Sequence, residues 1–414
     1  MALEPIRHDT SCRLCGSSRI AIVFQLNPTP PGDRFVSKEN LRVSQDVYPL
    51  DLALCQRCGY VHLPYILNPE ISYPDYIYVT KITLGLSNQY QKYADRILGL
   101  VQAVKGWLVV DLGSNDGTML EAFKRRGMKV LGVEPARAIA KAANEAGIPT
   151  IVDFFTDDVA EGIVREQGKV SIVTANYTYA NIDDVTSFTK NVAKILAPGG
   201  VFVVQTGYHP EQMKINMFDY IYHEHFSYFT VRVMGEFFAK CGLELFDVEK
   251  SPARGGSIWT VAQLVGGKRC ISPSVNEMIR EEEADGMEKS ETYTRFAEEI
   301  NRRKADVLRL VRKLQAEGKR IVGYGASHST TTLTYHFELG EYLEYIVDDN
   351  HLKHGMYSPG YHLPVYPARK LYEDKPDYVI VLAWQYQNPI VGNNQQFLEQ
   401  GGHFIVPLPD LKVI

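Results

Sequence analysis

The 414-residue sequence has no apolar run near the roughly 20 residues needed to cross a bilayer. It also has no basic block, no low-complexity tract and no short-period repeat. The first absence excludes a membrane-spanning helix. The second, with 44 Lys+Arg against 49 Asp+Glu and a net charge of -5, argues against a nucleic-acid partner or an anionic membrane surface. The opening stretch MALEPIRHDTSCRLCG lacks the basic-then-apolar profile of a secretion signal, so a cytoplasmic protein is expected. Cysteine is scarce, with six in all, and disulfides are disfavoured in such a compartment. The length exceeds what one hydrophobic core supports, so two or three domains are expected. The oligomeric state is left open, and a monomer is compatible with the sequence.

Four of the six cysteines form two C-x-x-C pairs, Cys12 and Cys15 in CRLCG and Cys55 and Cys58 in CQRCGY. Thiolates at that spacing converge on one ion, and the Gly after each pair allows the tight turn. A redox dithiol is the rival, but two matched pairs favour structural zinc. Four thiolates leave no open coordination position, so the metal holds structure rather than performing chemistry. Cys241 and Cys270 read as small buried residues.

From Trp107 onward, short apolar strands alternate with amphipathic helices, which predicts a parallel α/β sheet. WLVVDLG, KVLGVEP, IPTIVDFF, VSIVTANYT and VFVVQTG read as strands separated by helices. A charged helical stretch between about 272 and 318 reads as a solvated connector. A second strand–helix alternation starts at RIVGYGAS and continues through YLEYIVDDN, DYVIVLAW and HFIVPLP. The expected fold class is thus α/β throughout, with domains at 1–75, 76–271 and 272–414.

VVDLGSNDGTML places Asp111, Gly113, Asn115 and Gly117 where a buried strand turns into a helix. Glycines there let the backbone approach a ligand, and helix-start amides can bond to it. The next strand ends in Glu134 and Pro135, and an acid at that place commonly grips ribose hydroxyls. So far any nucleoside cofactor fits. The D-x-G-x-x-x-G shape, however, resembles the first motif of class I S-adenosylmethionine-dependent methyltransferases. That resemblance implies a Rossmann-like methyltransferase core, adenine contacts at Asp153 and Phe154, and a contact from Asn176 after the fourth strand.

In the C-terminal unit, GYGASHSTTTL follows a strand and VDDN closes the next. A nicotinamide site is one reading, with Asp348 or Asp349 on the ribose, but His328 stands where a third glycine belongs. A phosphate or nucleotide pocket built from Gly325, backbone amides and the Ser327, Ser329 and Thr330 hydroxyls is the other. A purely structural turn also remains open.

The densest cluster is YIYHEHFSYF, residues 220–229. It follows the fifth strand by a connection long enough to arch over the strands' carboxyl ends, where ligands bind in open α/β sheets. His223 with Glu224, or Glu224 with His225, could form a base and its orienting acid, and the tyrosines could donate to an oxyanion. Zinc binding by the two histidines lacks further ligands in the sequence.

Taken in order, the N-terminal C-x-x-C pairs, the core carrying YHEHFSYFT and the C-terminal GYGAS…VDDN…LAW together resemble the deoxysugar C-methyltransferase family over nearly the whole chain. The resemblance implies a zinc-binding N-terminal domain, S-adenosylmethionine in the middle, and a Rossmann-like C-terminal domain that helps hold a nucleotide-diphosphate sugar. It implies that His225 is the general base, with Glu224, Tyr222 and Tyr76 beside it and His223 near the substrate. A near-neutral base suits removal of a proton next to a ketone. Two departures stand out: Asn181 where relatives carry a histidine, and Ser329 where they carry a lysine. The nucleotide carrier is therefore left open. Rival readings are a nucleotide-sugar oxidoreductase using the C-terminal G-x-G, a sugar O-methyltransferase, and a nucleotide-sugar binding protein without activity.

Overall fold

The computed structural model describes residues 5–68 and 86–414. Tyr76 and the expected boundary at 75/76 lie outside the described residues.

The N-terminal part contains β1 (Ile6–His8), β2 (Ile20–Thr29), β3 (Tyr48–Cys55), β4 (Val61–His62) and β5 (Tyr65–Leu67). β1 pairs with β5, and β2, β3 and β4 form an antiparallel sheet. The two cysteine pairs sit in turns at the open end of β2 and β3, where Gly16 and Gly59 adopt positive φ and their N–H groups donate to Cys12 and Cys55 carbonyls at 2.8 Å each. Only glycine takes that conformation without strain.

The central sheet contains β6 (Leu108–Leu112), β7 (Lys129–Val133), β8 (Thr150–Ile151), β9 (Val170–Asn176), β10 (Leu196–Gly207), β12 (Leu243–Ser251) and β13 (Ser257–Leu264), in the order β12-β13-β10-β9-β6-β7-β8. β8, β7, β6, β9 and β10 run parallel, and β13 is reversed. All five residues of β6 are buried, as a strand covered by helices on both faces must be. The expected strand IPTIVDFF is only Thr150–Ile151, so Asp153 and Phe154 lie in the loop beyond it. Phe154 is 55% exposed, which corrects its reading as strand.

β11 (Ser227–Tyr228) belongs elsewhere. It does not join the central sheet but pairs antiparallel with β4, Ser227 opposite His62 and Tyr228 opposite Val61. The end of the histidine-rich run, Ser227–Tyr228, thus becomes the edge strand of the N-terminal sheet.

The C-terminal sheet contains β14 (Ile321–Tyr324), β15 (Ile346–Asp348), β16 (Val365–Pro367), β17 (Tyr378–Val381), β18 (His403–Val406) and β19 (Lys412–Val413), in the order β16-β15-β14-β17-β18-β19. All but β19 are parallel, and the order reverses between β14 and β17.

The charged connector forms helices Pro273–Ala284 and Ser290–Ala316. It is less solvated than expected. Tyr293, Phe296, Ile300, Val307, Val311 and Leu314 form one buried face. Buried Glu282 accepts from Val231 N (2.6 Å), Arg232 N (3.0 Å) and Tyr208 Oη (2.8 Å). That carboxylate closes the exposed N–H groups of helix Val231–Lys240, which is why it tolerates burial. Cys270, expected to be buried, is exposed, whereas Cys241 is buried. Among the described residues, no helix is long and apolar enough to cross a membrane.

Candidate active site

The four knuckle cysteines meet. Their sulfurs lie within 4.8 Å of one another, with Cys12 Sγ 3.7 Å from Cys58 Sγ and Cys15 Sγ 3.6 Å from Cys55 Sγ. A tetrahedral zinc ion with Zn–S bonds of ~2.3 Å requires sulfur–sulfur edges of about 3.8 Å, so the set fits zinc as it stands.

A cleft of about 990 Å³ opens at the carboxyl ends of β6, β7 and β9, beside the point where strand order reverses. Asp111, Gly113, Asn115, Glu134, Pro135, Asp153, Phe154 and Asn176 all line it. Gly117 does not: at φ +75° it starts helix Thr118–Lys124, and a Cβ there would lie 2.9 Å from Ile148 Cγ2. Glu134 Oε2 accepts from Asn115 N at 2.9 Å and Oε1 from Ala136 N at 2.8 Å, so the carboxylate is oriented by two amides. Burial raises the pKa of Glu134, and that of Asp111 well above the carboxylate range. Asp111 accepts from Thr174 Oγ1 at 2.8 Å. Ser114 Oγ, Asn176 Oδ1 and Asn181 Oδ1 are buried polar atoms with no hydrogen-bond partner among the described residues. Polar atoms in that state ask for a ligand or water. Exposed Phe154 at the rim offers an aromatic face, and with these orphaned atoms the cleft suits a nucleoside that carries a polar tail.

Three non-glycine residues lining the cleft have positive φ: Asn115 (+50°), Tyr177 (+53°) and Arg254 (+51°). Such backbone costs on the order of 1–2 kcal/mol per residue and gathers at functional sites. Arg254 lies 3.9 Å over the Tyr177 ring. The sequence reading missed both residues, and neither carries a local signal.

The run 220–229 points its side chains in different directions. His225 packs between Tyr222 (ring centroids 5.5 Å apart) and Tyr228 (4.9 Å). Burial, reinforced by the Arg254 charge, lowers its imidazole to about 3. This corrects the expectation of a near-neutral base. His225 itself does not line the cleft; Phe226 and Arg254 do. His223 is fully buried and turns to Tyr48 of β3, 6.0 Å away, with its pKa lowered to about 4 by burial. Burial raises the Glu224 carboxyl, against the opposing charge of His328. No hydrogen bond joins Glu224 to either histidine: among the described residues, Glu224 Oε2 and His225 Nδ1 have no hydrogen-bond partner. The acid–base pairing expected from the sequence is therefore not formed directly. A further histidine went unnoticed in the sequence: His209, buried, stacked on Tyr293 and 5.3 Å from Tyr228.

The C-terminal turn meets this run. Thr332 Oγ1 donates to Ile221 O at 2.8 Å, and the His328 ring lies 5.6 Å from Tyr222. His328 Nε2 is 3.8 Å from Asp33 Oδ2, and Lys353 Nζ donates to Asp33 Oδ1 and Ala326 O at 2.6 Å each. Within the turn, Ser327 and Thr330 close the helix start as a capping box, and Ser329 Oγ lies 3.1 Å from Ser327 Oγ. Their hydroxyls therefore serve the turn first. Gly325 has φ +110°, and a Cβ there would meet Ala383 Cβ at 2.5 Å, so its glycine is demanded by close strand-end packing. Asp349 is exposed and accepts from Tyr324 Oη at 3.0 Å.

Comparison with known proteins divides the chain in the same way. Residues 12–73 match a family described as a zinc binding domain, 86–248 a methyltransferase domain, and 252–409 a C-methyltransferase C-terminal domain. The C-methyltransferase NovU of Streptomyces niveus is 34% identical over 410 residues, which cover 99% of this chain and 98% of that protein. The ubiquinone biosynthesis O-methyltransferase of a Methylobacterium species is 31% identical over 109 residues, 25% of this chain and 43% of that protein. Among solved structures, the CcbJ methyltransferase of Streptomyces caelestis is 16% identical, with a TM-score of 0.34 over 42% of this chain and 89% of that one. The magnesium protoporphyrin IX methyltransferase of Synechocystis with bound SAH is 13% identical, with a TM-score of 0.34 over 44% and 87%.

Proposed function

Because the chain belongs to the family of S-adenosylmethionine-dependent C-methyltransferases with a four-cysteine zinc-binding domain, we propose that it methylates a ring carbon beside the ketone of a nucleotide-linked 4-keto-deoxysugar. The observation carrying the proposal is the placement of His225. It is a buried, neutral imidazole held by Tyr222 and Tyr228, whose charge state is tied to Arg254 on the wall of the methyl-donor cleft.

Carbon methylation needs a carbanion, and a sugar carbon yields one only when a proton leaves from beside a carbonyl. His225 stands in its neutral form and takes that proton. Protonating a buried imidazole beside Arg254 is unfavourable in the resting site. The same cation, however, offsets the negative charge that develops on the enolate oxygen, so the proton transfer makes an ion pair where Arg254 is already placed. Tyr222, against His225 on one side and His328 on the other, is suited to donate to that oxygen. Glu224, its carboxyl raised by burial, holds a sugar hydroxyl rather than serving as the base. When bound in the cleft, S-adenosylmethionine supplies the electrophilic sulfonium methyl. Asp111, Asn115, Glu134, Asp153, Phe154 and Asn176 hold it there, and the step depends mainly on alignment. The carrier nucleotide lies toward the C-terminal turn, with Asp349 and the amides around Ser327 and Ser329 as its contacts. Lys353, paired with Asp33, supplies positive charge near that place.

The C-terminal unit matches the methyltransferase family over 252–409, which leaves the oxidoreductase reading without support. The deciding experiment incubates the protein with S-adenosylmethionine and a panel of 4-keto nucleotide sugars in deuterated buffer, then locates the new methyl by mass spectrometry and NMR. A methyl on carbon is expected, with solvent deuterium entering that position when S-adenosylhomocysteine replaces the donor. Both signals should vanish in His225→Ala while S-adenosylhomocysteine binding persists. A methyl on oxygen would refute the proposal.

A further inference from the structure

The zinc domain is a separate module by sequence, yet each knuckle sends one buried side chain to the same place. Arg13 lies between the first two cysteines, and its side chain is 8% exposed. Its Nη2 donates to Phe226 O at 2.7 Å and to Tyr60 Oη at 3.0 Å, and its Nη1 to Asp183 O at 3.2 Å and Ile182 O at 3.4 Å. Tyr60, two residues after the last cysteine, is fully buried, and its Oη lies 2.5 Å from Ser227 Oγ. Phe226 and Ser227 directly follow His225. Ile182 and Asp183 line the methyl-donor cleft. One guanidinium therefore ties a knuckle to both halves of the site, and β11 completes the connection by pairing with β4.

We propose that Arg13 and Tyr60 are positioning residues through which zinc occupancy sets the placement of His225. The proposal rests on the reading of His225 as the base. Its physical basis is the geometry of the four sulfurs. Cys12 faces Cys58 and Cys15 faces Cys55, so each close pair joins one knuckle to the other. A zinc ion would bond to both knuckles at once; without it the sulfurs keep only Sγ–Sγ contacts of 3.6–3.7 Å, and the two turns are held to each other less tightly. Separation of the turns would carry Arg13 away from Tyr60 and release Phe226 O and Ser227 Oγ together. A buried guanidinium with four acceptors has a fixed fork geometry that lysine cannot reproduce.

The test uses full-length Arg13→Gln, Arg13→Lys and Tyr60→Phe. Zinc content, hydrogen–deuterium exchange by mass spectrometry and steady-state kinetics are measured on each. Arg13 is not a ligand, so Arg13→Gln should retain one zinc per chain. Exchange in peptides covering 222–228 and 181–184 should rise by about tenfold or more, with 108–112 unchanged. Misplacement on the scale of 1 Å costs about 10²-fold in rate. The expected loss in kcat is therefore ~10–100-fold, with KM for S-adenosylmethionine within about threefold and partial rescue in Arg13→Lys. Metal-stripped wild type should reproduce the exchange pattern. If Arg13→Gln fails to fold, Tyr60→Phe, which keeps the ring and loses the hydroxyl's bonds to Ser227 and Arg13, decides through the same peptides. Unchanged exchange at 222–228 in the zinc-loaded variant would overturn the proposal. A wild type inactive on every keto sugar, with the exchange coupling intact, would refute the substrate reading and leave the coupling standing.

Discussion

Asp219 sits directly before the histidine-rich run, fully buried, with Oδ2 accepting from Trp384 Nε1 of the C-terminal domain at 3.0 Å and Oδ1 without a hydrogen bond among the described residues. Burial raises its pKa from 3.8 to about 7. The unfolded chain releases this proton near pH 4, whereas the folded protein keeps it until about pH 7. The contribution of this group to stability is thus fully present below about pH 4 and is lost as pH rises through 7. At ~1.36 kcal/mol per pH unit, the whole loss is about 4 kcal/mol, of which about 3 kcal/mol falls between pH 5 and pH 8. Asp219→Asn keeps an acceptor for Trp384 and cannot ionise. Its advantage over wild type should therefore grow by about 3 kcal/mol across that range, a Tm difference on the order of 5–10 °C for a domain of this size. Differential scanning fluorimetry of both proteins from pH 5 to pH 9 measures it. A Tm difference that stays flat with pH, or an asparagine variant equally destabilised throughout, would refute the reasoning.

Arg254→Gln removes the charge that lowers the imidazole of His225. The acidic limb of the kcat/KM profile should then move to higher pH, but remain below 6.5 because burial is the larger cause. Gly113→Ala places a Cβ 2.3 Å from Thr178 Oγ1 at φ +76°, so affinity for S-adenosylhomocysteine by calorimetry should fall by about tenfold or more. Gly199→Ala, at φ +77° with open space around it, serves as the control and should leave that affinity unchanged. His328→Ala removes the ring packed beside Tyr222. Steady-state assays should then show about a tenfold fall in kcat/KM for the sugar, with donor binding intact.

Local chemistry was legible in advance wherever the residues that act together are close in sequence. The Asp111–Gly117 turn, Glu134 at the end of the next strand and the two C-x-x-C pairs each carry their signal within a few positions. The strand–helix alternation likewise specified two parallel sheets, because strands covered on both faces must be apolar throughout. Asp153 and Phe154 were assigned to the cofactor and do line the cleft, yet as loop residues rather than strand. The charged connector misled because its helical face pattern hides Glu282 among residues that do point to solvent.

Arg254, His209 and the His328–Asp33–Lys353 cluster escaped notice for a different reason. Asp33 and Lys353 are 320 positions apart, and no local pattern announces that they will share a hydrogen bond. The electrostatic state of His225 is equally non-local, since burial by Tyr222 and Tyr228 and a charge from beyond β12 decide it. By itself the sequence determined most strands and helices of the two parallel sheets, which thiols share a metal and which turn lines the cleft, since short-range sterics and periodicity dictate these. The tertiary structure alone decided that Ser227 and Tyr228, at the end of the histidine-rich run, form an edge strand of the zinc-bearing sheet. Strand pairing is an interaction between backbones, and a two-residue strand carries no side-chain mark of its partner.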